Sequence, residues 1–406
     1  MINQLIKAME KAIGEVRQWP EKTVHIFHHN DADGLSSGAI LTRAFNRQGF
    51  EVRRFCLEKP YPAVLKKIYE QEGKILIFAD FAGRIAPLLS NLNRGRNLTL
   101  ILDHHVAEAS KDPKVHNLDP DLYGLKGDRD ISASTTCYIF ARTMDQDNCD
   151  MAHIAAIGAV GDGFFVDGKL VSQNREVAME SVRQGLMEIQ ENEKGEQYIL
   201  KSETGDIAYD ELAVYLGILG AAGYYQKGPD AGVQVCLDGI SSESDRMMEE
   251  FKTIKTRVFD TELQKLKQGA LKKTSHIQWL HVKDRFSPMG VKMIGDFCYT
   301  IRNMDFIDPQ KYIAGFQVIP NEIPGFGHID FNEVKVSMRV PSYLEDKIKE
   351  GSTAPLNSFL PEATNNLGGF SDACHRLAAA TTVAIGKEEE LIEEMERILT
   401  TFIRKD

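Results

Sequence analysis

The stretch Thr23–Gly34 reads TVHIFHHNDADG, an apolar run that stops abruptly in histidine, asparagine and aspartate. The run Val24–His28 has the length and composition of a buried strand, and Leu35–Arg47 beyond it carries helical spacing. Strand, polar turn and helix then recur. Glu51–Cys56, Lys74–Ala79 and Leu98–Leu102 read as further strands, with Tyr61–Glu72 and Arg84–Asn91 as crossover helices. Strands alternating with helices of this length predict an α/β domain built on a parallel sheet with helices on its faces.

Ligands gather where the strands of an open parallel sheet end, so the residues at those ends carry the functional reading. The first strand runs into His28, His29, Asn30, Asp31 and Asp33; the third ends at Asp80; the fourth ends at Asp103, His104 and His105. A fourth place is the end of the apolar segment Met151–Val160, at Asp162; Ser132–Thr136 caps the helix ahead of that segment. A lone Asp in such a place commonly caps the next helix. Several gathered together would repel one another and raise their own pKa values, a conflict that bound cations resolve. Carboxylate and imidazole without thiolate suit Mn²⁺ or Mg²⁺ ahead of zinc. Two such ions clamp the attacking and leaving oxygens of an in-line displacement, which points to phosphoester hydrolysis. His28, the last residue of the apolar run, reads as a packed core histidine.

At 406 residues the chain is long enough for two or three domains, and 43% apolar with 26% charged residues is a globular composition. The formal charge of −11 argues against a grip on long duplex DNA and favours single strands, short oligonucleotides or small nucleotides. No apolar run approaches the roughly 20 residues of a membrane span. The first twenty residues read as an amphipathic helix ending at Pro20, without a secretory core, so no membrane role and a cytoplasmic location are expected. Six scattered cysteines without CxxC spacing read as reduced thiols.

Three segments follow: a catalytic domain over 1–173, a Glu-, Lys- and Gln-rich helical connector over 174–273, and a smaller α/β domain over 274–406. The connector could hold the domains apart around a cleft or pair with a second copy in a homodimer. In the last segment His276–Val282, Tyr312–Ile319 and Glu333–Val340 read as strands, and Ser371–Ile385 and Glu388–Ile403 as helices.

HNDADG at 29–34, FAD at 78–80, LDHH at 102–105 and GDG at 161–163 resemble, in order, the four motifs of the DHH phosphoesterase superfamily. That resemblance implies roles residue by residue. Asp31 and Asp33 would ligate different metals, with His29 a further ligand of the first; Asp80 would bridge the two ions; His104 and Asp162 would complete the second site. His105 would face the scissile phosphate, with Asp103 orienting the histidines. The strand ending at Arg339, followed by Gly368-Gly369, resembles the DHH-associated substrate-binding domain of RecJ-like exonucleases, in which a strand arginine and a GGH element hold phosphate. Phe370 stands where that element has histidine. Either Phe370 replaces it, or the insertion FSDAC displaces it to His375; the second reading is preferred because His375-Arg376-Leu377-Ala378-Ala379 resembles the usual continuation. Arg339, Gly368, Gly369 and His375 are therefore the expected substrate contacts.

The implied activity is an exonuclease or phosphodiesterase that releases nucleoside monophosphates using two Mn²⁺ or Mg²⁺ ions. The alternatives are hydrolysis of cyclic dinucleotides, small phosphoesters or pyrophosphate, or an inactive scaffold in a replication or repair complex.

Overall fold

The structure is a computed structural model that describes residues 1–193, 195–202 and 205–403, with the backbone alone at 372, 373, 402 and 403. It divides into two units, Met1–Glu249 and Glu250–Asp406. The segment 174–273, expected as one connector, is thus shared between them.

The first unit opens with α1 (Ile2–Gln18), whose Leu5, Met9, Ala12, Ile13 and Val16 form one buried stripe. The sheet follows with β1 (Thr23–His28), α2 (Ala32–Arg47), β2 (Glu51–Cys56), α3 (Pro62–Ile68), β3 (Ile75–Ala79), α4 (Ala86–Asn93), β4 (Leu98–Leu102) and β5 (Val115–Asn117). Its order is β2-β1-β3-β4-β5 and every pairing is parallel. β3 and β4 are buried at every residue, the burial expected of strands covered on both faces. The α/β class read from the sequence is the class observed.

Two of the helices packed on α2 are α5 (Ala133–Met144) and α6 (Ala152–Gly161). Here the structure differs from the strand-end reading of Asp162. Met151–Val160 is helical, and Asp162 is the residue that ends α6. A run of ten residues, apolar but for His153, fits a buried helix as well as a buried strand, and its small residues (AHIAAIGAVG) suit close packing on all sides.

The hairpin β6 (Phe165–Val166) and β7 (Lys169–Leu170) leads into α7 (Ser172–Arg183). A three-stranded antiparallel sheet then interrupts the segment read as helical: β8 (Met187–Asn192), β9 (Gly195–Leu200) and β10 (Ile207–Ala208). These strands are mostly half-exposed and rich in Glu and Gln, so composition favoured helix while cross-strand pairing decided otherwise. Helices α8 (Tyr209–Gly217), α9 (Gly228–Asp238) and α10 (Ser242–Lys265) follow, and the division between units falls inside α10.

The second unit is a six-stranded sheet with helices. Its elements are β11 (Lys272–Lys273), β12 (Ile277–Lys283), α11 (Met293–Ile301), β13 (Tyr312–Val318), the hairpin β14 (Glu322–Ile323) and β15 (Gly327–His328), β16 (Glu333–Arg339), α12 (Ser342–Lys349), α13 (Leu360–Asn366), β17 (Phe370–Cys374), β18 (Ala378–Ala384) and α14 (Glu388–Ile403). The order is β11-β12-β13-β16-β18-β17, antiparallel except for β12 with β13. Trp279, Phe316, Val336, Phe359, Leu391 and Met395 lie in its core. The expected helix over Ser371–Ile385 is instead the strand pair β17–β18. Alanines suggested helix, but Thr381, Thr382 and Val383 are branched at Cβ and fill the slot beside β16.

Candidate metal centre

The strand order 2-1-3-4-5 changes direction between β1 and β3, and the crevice beyond the carboxyl ends at such a reversal is where an open sheet takes its ligand. His28 is in register with Ala79, and the His29 N–H donates to the Ala79 carbonyl at 3.3 Å, so the two chains leave the sheet side by side. Asp80 then adopts a left-handed backbone (φ 66°), as does Ala82 (φ 85°). That conformation costs of order 1 kcal/mol outside glycine, and Asp is among the residues that bear it best.

The result is a carboxylate shared between two groups of donor atoms. Asp80 Oδ2 lies 3.3 Å from His29 Nδ1, which is 2.8 Å from Asp31 Oδ2. Asp80 Oδ1 lies 3.5 Å from His104 Nε2, which is 3.5 Å from Asp162 Oδ2. His29, Asp31 and Asp80 form one potential ligand set, and Asp33, Asp80, His104 and Asp162 form another; within each set the donor atoms lie within 4.8 Å of one another. A third grouping joins Asp80 to Asp103, His104 and His105.

Each side chain is held by its local structure. Asp31 is both cap and candidate ligand: its Oδ1 accepts from Gly34 N at 3.0 Å at the start of α2, while Oδ2 faces His29. Asp33 accepts from the backbone N–H groups of Ala133 (2.8 Å) and Ser134 (2.9 Å), the first amides of α5, where the helix dipole favours negative charge. His104 Nδ1 meets the Gly127 carbonyl at 2.5 Å; carrying the proton there leaves Nε2 to act as a ligand. Asp103 accepts from His104 N (2.8 Å), Gly83 N (2.8 Å) and His105 Nδ1 (2.7 Å), which fixes the His105 ring. His28 turns away from this group: it is buried, its Nδ1 faces the His29 carbonyl at 2.8 Å, and burial pushes its pKa down to about 3.

Without an ion the cluster is electrostatically strained. Burial, then the charges of Asp80 and Asp162, push the Asp33 carboxyl well above the usual range. Burial and Asp31 push Asp80 up as well. Burial opposes charge on His104 and His105, yet Asp162 and Asp80 raise the first above the ordinary imidazole range and Asp103 raises the second. Asp103 is also buried, but the neighbouring His105 holds it below the carboxylate range. Asp80 Oδ2 and His104 Nε2 are buried without a hydrogen-bond partner. Buried polar atoms ordinarily have partners. With the His104 proton on Nδ1, both orphans are lone-pair acceptors, one in each donor group, and acceptors ringed by carboxylates fit bound divalent cations.

Four parts of this arrangement leave no local mark in the sequence. The Gly127 carbonyl approaches so closely that a Cβ on Gly127 would stand 1.5 Å from the His104 carbonyl oxygen. Gly158 of α6 admits Asp33, since a Cβ there would meet Asp33 Oδ1 at 2.1 Å. The amides that start α5 lie about 100 residues from Asp33, beyond the reach of any local pattern. Asp119 is fully buried with Oδ2 lacking a partner, and burial and Asp103 raise its pKa. In the sequence it is merely an Asp before a proline. The Ser132 cap was the one legible signal, because α5 begins there with Ser132 Oγ accepting from Thr135 N.

Residues 23–160 match the DHH family, N-terminal domain. The N-terminal unit belongs to the DHH family. An uncharacterized protein of Methanocaldococcus jannaschii is 30% identical over 165 residues, 39% of this chain and 37% of that relative's length. Two of the solved structures with a similar fold are RecJ and CDC45. RecJ from Thermus thermophilus, in complex with Mn²⁺, superposes with a TM-score of 0.63 at 15% identity, covering 97% of this chain and 55% of RecJ. CDC45 from Entamoeba histolytica gives 0.58 at 10% identity, covering 98% of both.

In the second unit the expected substrate contacts separate into two places. Arg339, at the end of β16, is in register with Ala378 of β18, and Cys374 of β17 with Ala379. His375 N donates to the Ala378 carbonyl at 2.9 Å, so the turn bearing the exposed His375 lies at the Arg339 end of the sheet. Phe370 instead pairs with Thr382, four residues further along β18 and roughly 14 Å away. Gly368 and Gly369 therefore enter β17 at the opposite end. A Cβ on Gly369 would stand 2.3 Å from the Thr382 carbonyl oxygen, a requirement of strand packing. Among the described residues no helix is long and apolar enough to cross a membrane.

Proposed function

We propose that this DHH-family chain is a metal-dependent phosphodiesterase that removes nucleoside monophosphates from single-stranded or short oligonucleotides, using two Mn²⁺ or Mg²⁺ ions. The observation that carries this reading is Asp80, whose two oxygens face different donor groups, one reaching towards His29 and the other towards His104. A shared carboxylate is what a paired-cation site needs. His29 and Asp31 would hold one ion, Asp33, His104 and Asp162 the other, and Asp80 both. When bound, the ions would polarise the phosphoryl group and acidify a water molecule.

The remaining chemistry belongs to side chains on the protein. Asp103 holds His105 through Nδ1, which orients Nε2 as the nitrogen that would hydrogen-bond or protonate a phosphate oxygen. Asp103 also fixes the backbone at His104 and Gly83, so one carboxylate sets the geometry of both histidines. Arg339 is the phosphate clamp in this reading, its guanidinium matching phosphate oxygens with paired hydrogen bonds, and His375 is its neighbour at the same sheet end. The Mn²⁺-bound RecJ of like fold supports the choice of metal class. An inactive scaffold is disfavoured because the whole set of carboxylates and imidazoles is retained.

The test is incubation with 5′- and 3′-labelled DNA and RNA oligonucleotides of several lengths in Mn²⁺. Mononucleotide products are expected, and Asp80→Asn should abolish them. No product from any substrate, or undiminished turnover in Asp80→Asn, would overturn the proposal.

A further inference from the structure

On the surface of the second unit, one face of α11 combines cations with an open aromatic ring. A Cβ placed on Gly295 would stand 2.7 Å from Arg339 Nη2, so the Arg339 guanidinium lies directly on α11 where a side chain is missing. Tyr299 sits four residues on, the next position on the same helix face, about one turn or roughly 5–6 Å away. Tyr299 is 53% exposed, and Arg302 lies over its ring with Cζ 3.5 Å from the centroid. The far end of α11 is pinned beside the chain that leaves Arg339: Asn303 Nδ2 donates to Ser342 Oγ at 2.8 Å, and Ser342 N donates to Asn303 Oδ1 at 3.0 Å.

The charges on this face are arranged for an anion. Arg339 donates through Nη1 to the Met338 carbonyl at 2.8 Å; the carboxylate whose charge reaches it is Asp296. The one acidic side chain in the first turn of α11, Asp296, is paired with Lys255 at 2.6 Å. A half-exposed tyrosine backed by an arginine is a stacking platform, since every nucleobase has a π-face and the guanidinium strengthens the stack.

From this juxtaposition we infer that Tyr299, backed by Arg302, is a nucleobase-stacking subsite for the nucleotide whose phosphate Arg339 holds. The inference rests on the proposed nucleotide substrate and adds what the chain recognises in it: a base of any identity, next to a phosphate. Stacking without hydrogen bonds to the base edge gives affinity for nucleotides over bare sugar phosphates with little preference among bases. Tyr299 and Arg302 act in binding and belong to the second unit.

The experiment is calorimetric titration of the full-length protein in EDTA with AMP and with ribose 5-phosphate. The wild type should bind AMP about tenfold or more tightly than ribose 5-phosphate, the loss expected when one stacked base is removed. Tyr299→Ala should erase that difference and leave ribose 5-phosphate affinity unchanged. Tyr299→Phe should keep it, and Arg339→Ala should weaken both ligands. Equal affinities in the wild type, no binding of either probe, or unaltered AMP binding by Tyr299→Ala would each overturn the subsite. Base-dependent binding that persists while oligonucleotides go uncleaved in Mn²⁺ sinks the proposed activity and leaves the subsite standing.

Discussion

Two histidine–carboxylate pairs of almost equal length sit in different units of this chain. His105 Nδ1 is 2.7 Å from Asp103, and His276 Nδ1 is 2.6 Å from Glu396. The pairs are alike in themselves and opposite in surroundings. Glu396 also accepts from Thr274 Oγ1, His276 N and Ile277 N, and thereby stitches the start of β12 to α14. The Asp103 pair stands against Asp80 and His104, where carboxylates crowd and buried atoms lack partners. Glu396 is half-buried, and the groups that meet it, Thr274, His276 and Ile277, serve to hold strand to helix. Buried acids left facing one another are held for something the chain does not supply.

That contrast can be broken by experiment. The largest expected effect is on turnover: His105→Ala should lower kcat by about 10²- to 10⁴-fold with little change in melting temperature. His276→Ala should do the reverse, and matching activity losses in the two variants would end the distinction. Next, Mn²⁺ at about 100 times its dissociation constant should stabilise the first unit by about 2.7 kcal/mol, read from thermal unfolding. Asp33→Asn should shrink that gain, and a gain of equal size in that variant would place the ion elsewhere.

A third pair sharpens the structural side. Arg285 makes a two-pronged contact with the buried Glu262, at 2.8 and 2.6 Å. Arg285→Ala should cost about 2 kcal/mol in chemical denaturation, below the usual range for a fully buried pair because the arginine is 35% exposed. The smallest effect is the pH dependence of the metal-free protein. Asp33 and Asp80 have raised pKa values, so their contribution to stability is complete below the ordinary carboxylate range and is lost as pH rises through the raised values. Partial burial opposes charge on Glu396, but its hydrogen bonds to Thr274 and His276 lower its pKa, so its contribution is present above the ordinary range and lost as pH falls through the lowered value. In EDTA the first unit should therefore melt higher at mildly acidic than at neutral pH, and the second should weaken only in stronger acid. Parallel slopes in the two units would contradict the assignment.

Much of the first unit is visible in its residues because buried parallel strands are continuous apolar runs with abrupt ends. β2 and β4 match their expected bounds, while β1 and β3 differ by one residue at the start. The acids that follow were conspicuous for the same reason. What was hidden depended on pairing across long separations. Asp162 arrives from a helix because a nearly unbroken apolar run does not declare its period, and β17–β18 left no clear mark because alanine fits either state until a neighbouring strand chooses. The Gly127 carbonyl and the buried Asp119 leave no local trace, since their meaning lies only in what stands opposite them.

Asp33 meets the first amides of a helix about 100 residues further along, and the last donor of the cage, Asp162, comes later still. During synthesis, then, the early DADG segment can offer a cation only a loose, partial grip. Tight coordination must wait until α5 and α6 have emerged and docked, so the ion acts as a final lock on an assembled unit and not as a seed around which it gathers.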